Sequence, residues 1–194
     1  MTYVNGTAQE LGAPWMRALG RYRHQVFVQR LGWDLPDASE DGEWDRFDRA
    51  DTVHVMSLDL HGRITGCARL LPTTRPYLLA DVFGELLDDA PPPQSAEVWE
   101  LSRFAAVDLD AGPPSGHTLG SPQALDLLRA SMRAASRHGA RGLVSVSPVA
   151  IQRILQHGNF PFSRLGRTHR IGGHALFACG LALQPALHRD PAPA

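Results

Sequence analysis

Trp15, Leu19, Tyr22, Val26, Phe27 and Leu31 recur mostly three or four residues apart, the period that gives a helix one buried face. The spacing predicts a helix over 15–31, with Arg23 beside its apolar stripe. Residues 35–51 lose that period, hold few aliphatic side chains and carry Glu43, Asp45 and Asp48, so they read as a long ordered loop or a pocket lid. Alternation returns over 53–60, breaks at His61-Gly62 and resumes over 63–71, as in two strands joined by a turn. Pro72 and Pro76 end the second strand, residues 78–87 suit a short helix, and the prolines of 90–94 make a loop. A third strand is expected over 97–106. Regular alternation puts Trp99, Leu101 and Arg103 on one side of it, and Glu100, Ser102 and Phe104 on the other.

Residues 112–121 read as a further loop. Leu125, Leu128, Met132 and Ala135 restore helical spacing over 122–138, and Gly139 closes that helix. Residues 143–147 have the character of a buried strand, 148–157 of a helix opened by Ser147 and Pro148, and 173–183 of a last strand. The tail 185–194 is expected to be disordered, leaving one domain over 1–184. Helix, antiparallel strands, helix, strand, helix, strand is the order of a single α/β domain, a three-layer α/β/α sandwich with helices on both faces of a mixed twisted sheet.

A chain of 194 residues, 43% hydrophobic and 20% charged, can bury a core as one domain. Lys+Arg of 19 against Asp+Glu of 20 leaves a formal charge of -1. No overall basic field argues for a nucleic-acid partner, and a charged partner must use a local patch. Cys67 and Cys179 lie far apart in apolar surroundings and read as reduced core thiols, and none of the nine histidines has metal-ligand spacing. No metal site or cofactor is expected. The first residues lack a signal pattern, and the apolar stretch 175–182 is too short to span a bilayer. A cytoplasmic monomer without membrane contact is the expectation.

The candidate chemistry lies in two stretches, 67–83 (Cys-Ala-Arg-Leu-Leu-Pro-Thr-Thr-Arg-Pro-Tyr-Leu-Leu-Ala-Asp-Val-Phe) and 98–104 (Val-Trp-Glu-Leu-Ser-Arg-Phe). Both set guanidinium and carboxylate groups among apolar and aromatic residues, where ionised side chains are costly unless paired or holding a ligand. The two stretches resemble the central block of the acyl-homoserine-lactone synthases, the bacterial autoinducer-making acyltransferases. The resemblance runs from about Tyr22 to Arg103 and, more weakly, to about Ala182. It implies the N-acyltransferase superfamily fold, whose parallel strands splay apart to admit an acyl thioester. It also implies a two-substrate reaction: an acylated carrier protein or acyl-coenzyme A gives its acyl group to the amine of S-adenosyl-L-methionine. The carboxylate then displaces the sulfonium, closing a homoserine lactone and releasing 5'-methylthioadenosine. The set it marks is Glu100, Arg103, Asp45 and Asp48 for catalysis, with Arg23, Phe27, Trp33, Arg69, Phe83 and Phe104 for substrate binding.

The residue types suit that chemistry. A zwitterionic sulfonium substrate needs carboxylates for its cations, a guanidinium for its carboxylate and an aromatic wall for its purine; Asp45, Asp48, Arg23 and Trp33 supply these. Asp45 and Asp48 equally suit a surface loop, pairing with Arg46 or Arg49. Glu100 suits a general base, or a buried ion pair with Arg69 or Arg103. A bulge is needed for Glu100 and Arg103 to face one pocket. Phe104 and the backbone around it suit acyl positioning or plain core, and Phe27 and Trp33 suit ligand contact or packing. An acyl tunnel is expected along Val144, Val146, Met132, Leu155 and Phe177. The resemblance implies that Ser145 or Ser147 stands where some relatives carry a hydroxyl linked to substrates oxidised at the third carbon. Serine is here in place of the threonine often found, and acyl chain and oxidation state stay open. Arg133, Arg137 and Arg141, with Arg153 on the next helix, form a candidate docking stripe for an acidic acyl carrier protein. The rival reading is an ordinary acetyl-coenzyme A N-acetyltransferase. Its pyrophosphate motif finds two matches, 63–68 and 170–175, and neither leads into a helix.

Overall fold

The computed structural model describes residues 1–110 and 121–183. The tail expected over 185–194, and all but the last residue of the loop expected over 112–121, lie outside the described residues.

The chain begins with β1 (Thr2–Gly6), an edge strand that the sequence pattern does not reveal because only Gly6 of its five residues is buried. Thr7 then opens α1 (Ala8–Arg23) through a capping box. Its hydroxyl accepts from the Glu10 amide, and the Glu10 carboxylate accepts from the Thr7 amide at 2.7 Å, satisfying two amides that a helix start leaves unpaired. Gly12, at φ 80°, kinks the helix just before Pro14. The helix continues as π-helical turns over His24–Arg30 that turn Val26 and Phe27 inward.

β2 (Val53–Leu58) and β3 (Ile64–Pro72) form the expected hairpin. The predicted helix over 78–87 divides into α2 (Leu78–Asp81) and a 3-10 turn over Gly84–Leu87. β4 (Val98–Ala106), α3 (Pro122–Arg137), β5 (Gly142–Pro148) and α4 (Ala150–His157) follow the expected order. Two three-residue strands, β6 (Phe162–Arg164) and β7 (His169–Ile171), precede β8 (His174–Ala182) and pair with it; each is too short to carry a readable period. The sheet order is β1-β2-β3-β4-β5-β8-β6, antiparallel except for β4 and β5. Both pyrophosphate-like matches fall on strands and their turns, 63–68 in β3 and 170–175 across β7 and β8. Among the described residues no helix is long and apolar enough to cross a membrane.

Two details of this sheet make a site. The parallel pairing of β4 and β5 lasts only from Val98 opposite Gly142 to Glu100 opposite Val144. Beyond Glu100, β4 stays with β3 and β5 stays with β8, so the two strands part. Along β3, Arg69 faces Ser102 but Cys67 faces Ala105, leaving Arg103 and Phe104 together opposite Ala68. This is a β-bulge, with Arg103 at φ 48°, and it re-aims the side chain that the extra residue carries. Arg103 therefore leaves the side of Trp99 and Leu101, where regular alternation puts it.

Each face of the sheet has its own core. Val53, Val55, Leu70, Leu101, Leu127, Leu143, Leu155 and Phe177 pack on the face under α3 and α4. On the other face, Leu19, Tyr22, Val26, Phe27, Met56 and Cys67 pack under α1, while Phe47, Leu71, Tyr77, Leu79, Leu86 and Val144 pack under α2 and the 3-10 turn. Cys67, Arg69 and Leu71 alternate along β3 and so share that second face. Arg69 stands between its two apolar clusters. The tunnel lining expected from sequence divides between faces: Val144 and Val146 belong to the α2 side, Met132, Leu155 and Phe177 to the α3 side.

Candidate active site

Three arginines and three carboxylates close a ring on the α1 face. Arg23 Nε reaches Glu43 at 2.6 Å and its Nη1 reaches Asp48 at 2.7 Å. Arg69 Nη1 lies 2.6 Å from Asp45 and 3.1 Å from Asp48. Arg103 Nη2 lies 2.9 Å from Glu43 and 2.8 Å from Asp45. Every guanidinium touches two carboxylates and every carboxylate two guanidiniums, so the formal charges cancel. That balance lets Arg23, Glu43 and Arg69, each at most 1% exposed, remain ionised in the interior. Burial pushes the carboxyl of Asp48 up, but Arg23 and Arg69 outweigh it and hold the group far below its ordinary value. Glu43 is likewise lowered against its burial by hydrogen bonds from Arg103 and Arg23. The Arg23 guanidinium, disfavoured by burial, is raised on balance by Asp48 and Glu43.

The ring explains why 35–51 is ordered without an apolar period. Asp48 accepts from the Asp45 amide at 2.9 Å, and Asp45 accepts from the Phe47 amide at 2.8 Å, so ring members also fold the turn that carries them. Pairing of Asp45 and Asp48 with Arg46 or Arg49 is not found; Arg46 meets Asp81, and Arg49 meets Asp51. Arg23, expected to receive a substrate carboxylate, has Nε, Nη1 and Nη2 all occupied by Glu43 and Asp48. Arg69 Nη2 is the contrast: buried, with no hydrogen-bond partner among the described residues.

Glu100 does not join the ring. Its two carboxylate oxygens accept the amides of Leu78 at 2.9 Å and Leu79 at 2.7 Å. It thus caps α2, whose own N-cap residue, Tyr77, contributes no side-chain hydrogen bond. Of the two alternatives for Glu100, the ion pair with Arg69 or Arg103 is not formed: among the described residues Glu100 makes no ion pair, and both its oxygens turn to the α2 amides. Burial lifts the Glu100 carboxyl to about 7, against the two amides and the Arg69 charge that pull it down.

Aromatic rings border the charges. Phe27 and Trp33 stack with centroids 4.8 Å apart, and the Arg103 guanidinium lies 5.7 Å from the first and 5.8 Å from the second. Phe27 is buried, whereas Trp33 is 36% exposed, so the stack leads from the ring to solvent. Trp44 lies on Gly20, where a Cβ would stand 2.7 Å from the indole, and faces Arg23 at 5.1 Å. Phe83 is half-buried in the α2-side cluster, and Phe104 half-buried against the α3-side core.

Other expected site residues stand elsewhere. Ser145 and Ser147 are both buried, with hydroxyls 3.3 Å apart. They alternate with Val144 and Val146 and so point away from the α2-side face. Arg137 bonds Asn5 of β1 at 2.8 Å, and the charge of Arg133 acts on Tyr3 of the same edge strand. Arg153 sits on α4, which packs over β5, and Arg141 pairs with Glu97. Burial lifts the Cys67 thiol to about 12, which keeps it protonated.

Glu43 is the ring member missing from the sequence-derived set. Charge balance is the signal that points to it. Arg23, Arg69 and Arg103 outnumber Asp45 and Asp48 by one, and Glu43 supplies the third carboxylate two residues before Asp45.

A sheet whose central parallel strands part beside a buried carboxylate is the architecture of the N-acyltransferase fold, and the charged ring on its margin narrows the class further. Residues 11–187 match the family model described as autoinducer synthase. An acyl-homoserine-lactone synthase of Ralstonia solanacearum is 48% identical over 163 residues, 84% of this chain and 79% of that protein. One from Acinetobacter nosocomialis is 42% identical over 159 residues, 81% of this chain and 86% of its own length. The crystal structure of TofI, in a ternary complex with an inhibitor and MTA, superposes with a TM-score of 0.79 at 41% identity, covering 95% of this chain and 92% of that one. The chain belongs to the autoinducer synthase family and is an acyltransferase of the acyl-homoserine-lactone synthase type.

Proposed function

We propose that this site acylates S-adenosyl-L-methionine with an acyl group drawn from an acyl carrier protein, in the cytoplasm. The carrying observation is the parting of β4 and β5 at Glu100, beside a closed ring in which one buried guanidinium nitrogen, Arg69 Nη2, is unpartnered among the described residues. The Phe27–Trp33 stack forms the wall for the adenine, Arg69 Nη2 receives the substrate carboxylate, and Asp45, at the ring's more exposed edge, lies toward the sulfonium. The reaction needs a neutral amine. Glu100, with its carboxyl near 7, is matched to take the ammonium proton directly or through one water.

The amine nitrogen then attacks the thioester carbonyl, whose oxygen is received by β4 amides freed where the strands part. The carbon–sulfur bond breaks, and the carrier leaves as its thiol with a proton. In the second step the substrate carboxylate displaces the sulfonium sulfur, closing the lactone and releasing methylthioadenosine. The enzyme acts as a monomer in this reading. Arg133 and Arg153 are exposed and free of ion pairs among the described residues, which suits separate contacts with an acidic carrier.

The test supplies adenosylmethionine with a matched panel of acyl-carrier-protein and acyl-coenzyme A donors and follows products by mass spectrometry. Acyl-homoserine lactone and methylthioadenosine should appear in equal amounts, fastest from carrier-bound donors. Preference for coenzyme A would reassign the donor. Acyl transfer to another amine without methylthioadenosine would favour the plain acetyltransferase.

A further inference from the structure

A cavity of about 470 Å³ lies between α1, the 41–49 segment and β2. Met16, Arg17, Arg21, Trp44, Arg49 and His54 are among its lining residues, and Asp48 is the one ring member that reaches it. Neither Phe27, Trp33, Glu100 nor Arg103 takes part, so it is separate from the acyl-transfer site.

Several of its polar groups find no partner among the described residues. Arg17 and Arg21 stand one turn apart on the exposed face of α1, and neither makes an ion pair among the described residues. Arg49 spends Nε on Asp51 and Nη1 on the Pro76 carbonyl, but its Nη2 is buried without a partner among the described residues. His54 is 1% exposed, and its Nδ1 also has no partner among the described residues. Of the two carboxylates in the wall, Asp48 is engaged by Arg23 and Arg69, which leaves Asp41. Guanidinium donors exceed the acceptors available to them. Beside them Met16, Ala13 and the Trp44 indole supply an apolar surface.

We propose that this cavity binds a small phosphomonoester with a flat apolar body, the size of a nucleoside monophosphate. Three guanidiniums suit the three terminal oxygens of a phosphomonoester better than the two of a carboxylate. His54, neutral near pH 7 because burial lowers its pKa to about 4, adds a hydrogen bond without adding charge. The Trp44 indole, backed by Gly20, offers a fixed surface for the ring. The proposal is independent of which acyl donor the enzyme uses.

Calorimetric titration of adenosine 5'-monophosphate tests it, using protein already saturated with adenosylmethionine so that the substrate pocket is filled. One equivalent should bind, and the Arg17→Ala/Arg21→Ala double variant should bind at least about tenfold more weakly with unchanged acyl-transfer kcat. Inorganic phosphate and adenosine, run separately, should each bind more weakly than the monophosphate. Absence of binding, or equal binding by the double variant, overturns the site. Adenosine binding as tightly as the monophosphate overturns the phosphate assignment, and inorganic phosphate doing so overturns the flat body.

Discussion

Truncation of Glu43 to alanine is expected to cost the fold about 3–5 kcal/mol, the range for stranding buried charges. The carboxylate is 0% exposed and holds Arg23 at 2.6 Å and Arg103 at 2.9 Å. Without it both guanidiniums stay interior with half their partners, and the ring carries an uncompensated positive charge. Glu43→Gln keeps the volume and one acceptor oxygen but leaves the same uncompensated charge and sets its amide nitrogen, a donor, against a guanidinium donor, so it should recover little of that loss. Urea unfolding at pH 7 measures both. A loss under about 1 kcal/mol for the alanine variant, the size of an exposed pair, would contradict the ring as a buried unit. Because Glu43 and Asp48 are lowered in the fold, their stabilisation is present above their ordinary values of 4.5 and 3.8 and is lost on acidification below them. Its loss with acid should be shallower in the Glu43 variants.

Glu100→Gln should lower kcat by roughly two to four orders of magnitude, the usual scale for a general base, with adenosylmethionine affinity little changed. Burial raises this carboxyl to about 7, so the wild-type rate should climb with pH through that value and level off above it. The glutamine variant should lack that limb. The same shift has a stability consequence of opposite sense to the ring's. A carboxyl raised in the fold stabilises below its ordinary 4.5 and loses that contribution as pH rises through about 7. Glutamine also disturbs the capping of α2, since its amide nitrogen cannot accept from Leu78 or Leu79. The pH limb separates the roles: a variant that is slow but keeps the wild-type limb would make Glu100 a tether for α2 and nothing more.

Much of this was legible in the chain because the strands and α3 carry clean periods. β2 and β3 alternate on either side of His61-Gly62, and Leu125 to Ala135 keep helical spacing. What escaped did so for physical reasons. β1 has almost no buried residues, β6 and β7 are too short to show a period, and the order of 35–51 comes from ion pairs formed with residues far along the chain. Alternation alone misplaces Arg103 on β4, and the bulge that the sequence reading required for Glu100 and Arg103 to share a face is present. Identifying Arg23, Asp45, Asp48, Arg69 and Arg103 as a group depended on resemblance. Their closure through Glu43, and the turn of Glu100 away from the arginines toward the α2 amides, depended on geometry.

A crystal structure with S-adenosyl-L-methionine bound tests the placement of the reaction most directly. The adenine should lie on the Phe27–Trp33 stack, the carboxylate within about 3 Å of Arg69 Nη2, and the amine on the Glu100 side of the gap between β4 and β5. The ligand in the cavity beside His54, or its carboxylate held by groups other than Arg69, would contradict it.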